Sequence, residues 1–157
     1  MDGIDLGSLG PNKLSDFRRE YLGFVFQSFY LVPYLTAAEN VMLPLTVQPG
    51  MNGKANDAAQ EALRKVGFNA KAHRLPSQLS GGEQERVAIA RAIVNKLPVI
   101  LADKPTGNLD TKTGDNVLDM LQDLHKEGHT IVMVTHNTDN AKRAGQTIEI
   151  RDGQVVG

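Results

Sequence analysis

Leu79-Ser80-Gly81-Gly82-Glu83-Gln84-Glu85-Arg86-Val87-Ala88-Ile89-Ala90-Arg91-Ala92 is the most informative stretch of this 157-residue chain. Ser80 and Glu83 have the spacing of a capping box, which predicts a helix opening there and continuing to about Lys96. A serine and two glycines then lie at a helix N-terminus, where free N–H groups and the helix dipole favour a phosphate. Taken alone, Ser-Gly-Gly-Glu says no more than that the helix is well capped.

Working outward, three short, nearly continuous apolar runs surround this helix: Leu22–Phe26, Pro98–Ala102 and Thr130–Val134. Strands that are apolar on both faces suit a parallel sheet covered by helices. Thr36 and Glu39 form a second capping box, opening a helix through Leu43 that Pro44 helps to end. A helix is expected from about Asn56 to Val66 with Gly67 as its cap, and another after Asp110, striped by Val117, Leu121 and Leu124 and stopped at Gly128. Asp152-Gly153 between Thr147–Ile150 and Gln154–Val156 predicts a closing hairpin. The pattern is one α/β domain, residues 1–157, with a helical insertion between Gln27 and Leu79.

Composition narrows the function classes. Apolar residues make up 41% and charged residues 22%, as in an ordinary globular chain rather than a disordered one. With 17 Lys plus Arg against 18 Asp plus Glu, no whole-molecule grip on nucleic acid or anionic lipid is expected. Cysteine is absent, which excludes disulfides and thiolate metal sites. No apolar run approaches the roughly 20 residues of a membrane span, and Met1–Asp5 lacks the features of a signal peptide. A soluble chain with no direct membrane insertion is the expectation.

The stretch from Leu79 to Ala92 resembles the signature motif of ATP-binding cassette (ABC) ATPases, departing from its commonest form mainly at Glu85, where Gln is usual. The order of the other elements agrees with that family. Val99–Asp103 resembles a Walker B strand, whose terminal Asp helps to hold Mg²⁺ at the phosphates. Pro105–Asp110 is similar to the D-loop, His136 stands at the switch-histidine position, and Phe24–Gln27 matches the Q-loop. Phe26–Val41 and Leu43-Pro44-Leu45 resemble the ATPase subunits of macrolide-exporting and lipoprotein-releasing transporters.

The resemblance implies a P-loop NTPase-like ABC core, a mainly parallel sheet flanked by helices, with residues 36–96 as a helical subdomain. It implies ATP and Mg²⁺ as cofactors, with Ser80, Gly81, Gly82, Gln84 and Asp110 toward nucleotide, and Asp103 and Gln27 toward the metal. Gln27, His136 and position 104 would serve the reaction. It further implies a second cassette subunit, a transmembrane permease subunit met by Gln27–Leu45 and the insertion, no nucleic acid, and a place on the cytoplasmic face of the inner or plasma membrane.

Two departures stand out. The family needs a G-x-x-x-x-G-K-[ST] loop to cradle phosphates, and neither near match qualifies. Gly7–Leu14 has Asn12 and Leu14 at the positions of the second Gly and the hydroxyl, and Gln48–Ala55 lacks the first Gly and the hydroxyl. The chain therefore resembles a cassette without its N-terminal phosphate-binding part, and the loss of the strand and helix that carry that part in the family is expected to leave Val99–Ala102 unpaired and its apolar side chains uncovered. The other departure is Lys104, which replaces the Glu that polarises the attacking water; next to Asp103 its charged form is favoured, and a charged Lys accepts no proton. An ATP-binding transporter subunit that is inactive alone is the leading expectation. The alternative is a non-catalytic cassette partnering an intact one. A DNA-repair or chromosome-maintenance ATPase would carry a long coiled coil, and no heptad run separates Gln27 from Leu79.

Overall fold

The computed structural model describes residues 5–48, 50, 53–68 and 70–156. Part of the second near match, Pro49, Met51 and Asn52, lies outside the described residues, as do Met1 to Ile4 and the terminal Gly157. Helix α1 (Pro11–Tyr21) leads into strand β1 (Leu22–Phe26), and α2 (Ala37–Met42) passes into a 3₁₀ turn at Leu43–Leu45. Helices α3 (Ala55–Lys65) and α4 (Gly81–Ile93) precede β2 (Val99–Asp103). Then come α5 (Thr111–Lys126), β3 (Thr130–Val134), the short α6 (Thr138–Ala141) and a hairpin of β4 (Ile150–Arg151) and β5 (Gln154–Val155).

Local chemistry explains most of these boundaries. Both capping boxes form: Thr36 Oγ1 accepts from the Glu39 N–H while Glu39 accepts from the Thr36 N–H, and Ser80 and Glu83 do the same. Asp152 and Gly153 have φ of +52° and +79°, the turn that a two-residue hairpin loop demands. Helix α2 ends at Met42, directly before the 3₁₀ turn that holds Pro44, as expected. One expectation moves: α4 stops at Ile93, short of Lys96, which adopts a left-handed φ of +54°. Helix α1 was not expected. Its signals are Pro11 in the first turn and the spacing of Leu14, Phe17 and Tyr21, with Phe17 buried and stacked on Tyr21 at 4.8 Å.

The sheet is wholly parallel, in the order β1-β2-β3. This corrects the expectation that Val99–Ala102 is left unpaired. Strand β2 is central, with Leu22–Phe26 bonded along one side and Thr130–Val134 along the other. Among the described residues, the outer edges of β1 and β3 both lack a further strand partner.

The two faces of the sheet differ. Val25, Ile100 and Ala102 are buried on one face with Ile131 and Met133 beside them, in a core completed by Val87, Ile89 and Ala90 of α4 and Val117, Leu121 and Leu124 of α5. In register on the opposite face stand Phe24, Leu101 and Val132, then Phe26, Asp103 and Val134. Val132 and Val134 are 48% and 56% exposed. The described helices thus cover one face of a sheet whose strands are apolar on both. No helix among the described residues is long and apolar enough to cross a membrane.

Candidate functional site

Parallel strands point their C-terminal ends the same way, and in open α/β sheets that edge is where ligands bind. Here Phe26, Asp103 and Val134 are register partners, so Gln27, Asp103-Lys104 and Thr135-His136 leave the sheet side by side. Asp103 and His136 are exposed, and neither side chain has a hydrogen-bond partner among the described residues. Lys104 is half-buried, with a left-handed φ of +46° and its N–H donated to the Val134 carbonyl. Its backbone is thus committed to the sheet end, while its ammonium contributes a positive charge beside the Asp103 carboxylate.

The N-terminus of α4 holds Ser80, Gly81, Gly82 and Gln84. Lys71 pairs with Glu83, and that ion pair, with the hydrogen bond from the Ser80 N–H, holds the Glu83 carboxyl below its ordinary value. Gln84 donates from Nε2 to the Leu79 carbonyl at 3.2 Å, so its amide is turned back on the helix start. Gly82 has a packing reason to be glycine: a Cβ there would stand 2.3 Å from Cγ2 of Thr113. Thr113 cannot readily turn aside, because its hydroxyl donates to Asp110 at 2.6 Å. Asp110, expected toward nucleotide, caps α5, accepting from both the N–H and the hydroxyl of Thr113, and those bonds lower its pKa.

Gln27 and Asn108 hold one another. Gln27 Nε2 donates to Asn108 Oδ1 at 3.3 Å, and Asn108 Nδ2 donates to the Gln27 carbonyl at 2.9 Å. Gly107 makes room for this pair, since a Cβ on it would meet Gln27 Nε2 at 2.7 Å. The turn after Gln27 is held from α4, where Arg91 donates to the carbonyls of Phe29 and Tyr30, each at 2.6 Å. Asn108 and Arg91 were not singled out by the sequence as contacts of Gln27. Their partners are backbone carbonyls and an amide 61 to 81 residues away, for which no local motif exists.

Glu85 is the least comfortable group. It is fully buried, both carboxylate oxygens lack a hydrogen-bond partner among the described residues, and burial pushes its pKa up to about 8 against the pull of Arg91. A glutamine at that place would carry no such ionisation penalty.

The donors present fit a metal–nucleotide complex better than a free cation. No group of three or more His, Cys, Asp or Glu side chains able to hold a metal occurs among the described residues. Mg²⁺ bound with a nucleotide needs only one or two carboxylates, because phosphates and water supply the remainder. Asp103 would offer one such carboxylate and Gln27 an amide oxygen.

A family model described as "ABC transporter" matches residues 2–107. A macrolide export ATP-binding/permease protein MacB of Mannheimia succiniciproducens is 47% identical over 99% of this chain, which spans 24% of that relative. The chain thus spans about a quarter of the length of the macrolide-export relatives it matches. An uncharacterized ABC transporter ATP-binding protein, YvrO of Bacillus subtilis, is 47% identical over 99% of the chain and 68% of its own length. Among solved structures, the ATP-binding cassette MJ0796 in a dimeric post-hydrolysis state with ADP and Pi superposes with a TM-score of 0.86 at 43% identity, over 99% of this chain and 69% of that one.

Proposed function

The chain belongs to the ABC transporter family as an ATP-binding cassette, and from that premise we propose that it serves an exporter-type transporter by presenting its signature face to ATP. The observation that carries this reading is the common exit of Gln27, Asp103 and His136 at one end of the parallel sheet. Ser80 and the free N–H groups of Gly81 and Gly82 would meet the γ-phosphate of a nucleotide held by a second cassette. Gln27 and Asp103 would approach Mg²⁺, and His136 the γ-phosphate, within this chain's own site. Bound there, Mg-ATP would supply the phosphates that these residues hold.

Lys104 sets what this chain contributes. Hydrolysis needs a group that takes a proton from the attacking water, and an ammonium cannot. Its charge instead favours retention of the phosphates. A composite site that takes Ser80–Gly82 from this chain and its base from the partner is not subject to that limit. The chain would therefore act as the signature-donating member of a pair. Gln27–Leu45 and the helices of residues 36–96 would form the surface that meets the permease, on the cytoplasmic side of the membrane.

The test is ATP turnover by an intact cassette of the family titrated with this chain. Turnover should rise with added chain and fall back when Ser80→Arg fills the phosphate position. Stimulation that is indifferent to Ser80→Arg would refute the assignment of the signature face.

A further inference from the structure

Phe29 and Tyr30 are consecutive aromatic residues with φ of +61° and +46°. Side chains with a Cβ rarely adopt the left-handed region, and two in succession need external support. The support is visible. Arg91, on the third turn of α4, directs Nη2 at the Phe29 carbonyl and Nη1 at the Tyr30 carbonyl, both at 2.6 Å. The turn is otherwise tight: the Phe29 N–H donates to Phe26 at 2.9 Å, the Tyr30 N–H to Ser28 at 2.6 Å, and the Tyr30 ring meets Phe26 edge-on at 5.3 Å. Gln27 lies inside this turn.

We propose that Arg91 is a positioning residue for Gln27, its planar fork holding the left-handed turn that sets how Gln27 leaves β1. The proposal rests on the reading that Gln27 faces the metal–nucleotide complex. It adds the route by which the signature helix and that residue are joined. Helix α4 carries Ser80–Gly82 at its start and Arg91 farther along, so a shift of the helix moves the carbonyls that shape the Gln27 turn. The other side of Gln27 is held by Asn108, in the loop after β2. Gln27 is thus fixed between α4 and the loop after β2. The fork matters more than the charge: two carbonyls on successive residues suit a guanidinium, whereas a lysine offers one compact ammonium. The Arg91 guanidinium is half-buried, and its partial loss of solvent strengthens these bonds.

The experiment uses the 157-residue chain in Arg91→Lys and Arg91→Ala forms. Hydrogen exchange at Phe29 and Tyr30 and the NMR signal of the Gln27 side-chain amide are the readouts. Arg86→Lys is the control, because Arg86 lies on the same helix but donates to the Val66 carbonyl instead. Arg91→Lys should speed exchange at Phe29 and Tyr30 about tenfold and shift the Gln27 amide, while Arg86→Lys leaves both unchanged. Adding Tyr30→Gly to Arg91→Lys should restore much of the protection, since glycine adopts the left-handed turn unaided. An unmoved Gln27 signal in Arg91→Lys, the same response in Arg86→Lys, or no rescue by Tyr30→Gly would overturn the proposal. None of these readouts involves nucleotide, so they fail separately from the turnover test of the functional reading.

Discussion

Lys104 and Glu85 are the two residues at which this chain departs most clearly from the motifs it resembles, and each has a measurable consequence. Lys104 occupies the end of β2 with its N–H bonded to Val134, so its backbone is well held and the departure is purely one of side-chain chemistry. The 157-residue chain should therefore turn over Mg-ATP no faster than background. Joined to an N-terminal cassette segment bearing a phosphate-binding loop, it should bind ATP yet hydrolyse it slowly; adding Lys104→Glu should then raise turnover by about 10²–10⁴-fold. Equal rates for the Lys and Glu forms would remove position 104 from the reaction. Glu85 governs stability. Its folded pKa of about 8 lies above the ordinary 4.5, so the folded chain keeps a proton that the unfolded chain loses. Stability is then fully present below pH 4.5, declines by about 1.4 kcal/mol per pH unit above it, and stops declining near pH 8. Glu85→Gln should raise the melting temperature at pH 8 and change it little at pH 4.5. A melting temperature equally shifted at both pH values would contradict this.

At the scale of elements, α2 is fastened by one buried side chain. Asn40 accepts from the Val32 N–H at 2.7 Å and donates to the carbonyls of Val32, Leu35 and Thr36, organising the loop between Gln27 and the helix. Asn40→Ala should cost about 2–3 kcal/mol in chemical denaturation, because it strands buried backbone groups; a loss within a few tenths would show that the loop holds itself. The sequence exposed the elements whose cause is local. Ser80 with Glu83, Thr36 with Glu39, and Asp152-Gly153 each act within four residues, and the runs Leu22–Phe26 and Thr130–Val134 have the strand boundaries of the structure. The order of the strands was not legible, because an apolar run does not state its neighbours. Val99–Ala102 was expected at an edge and lies in the centre. In the site, Gln27, Asp103 and His136 could be placed by order along the chain. The bonds from Arg91 and Asn108 could not, since their acceptors include backbone carbonyls, which every residue possesses.

For the molecule as a whole, the unequal faces of the sheet matter most. A parallel sheet is ordinarily buried on both faces. Here Val132 and Val134 are exposed, beside Leu101 and Phe24, on β3, one of the two edge strands of the sheet among the described residues. The chain should self-associate with rising concentration in light scattering, and Val132→Lys with Val134→Lys should suppress this. A monodisperse monomer at every concentration would show that this face is covered. The sheet end that carries Gln27, Asp103 and His136, with the capped start of α4 beside α5, is the basis for assigning the chain to one side of a shared ATP site. Sedimentation velocity with a hydrolysis-deficient intact cassette of the family, with and without Mg-ATP, tests that claim most directly. The account predicts a one-to-one complex that forms with Mg-ATP, dissolves on its removal and is lost in Ser80→Arg. No complex with Mg-ATP, or one that persists without nucleotide and tolerates Ser80→Arg, would contradict it.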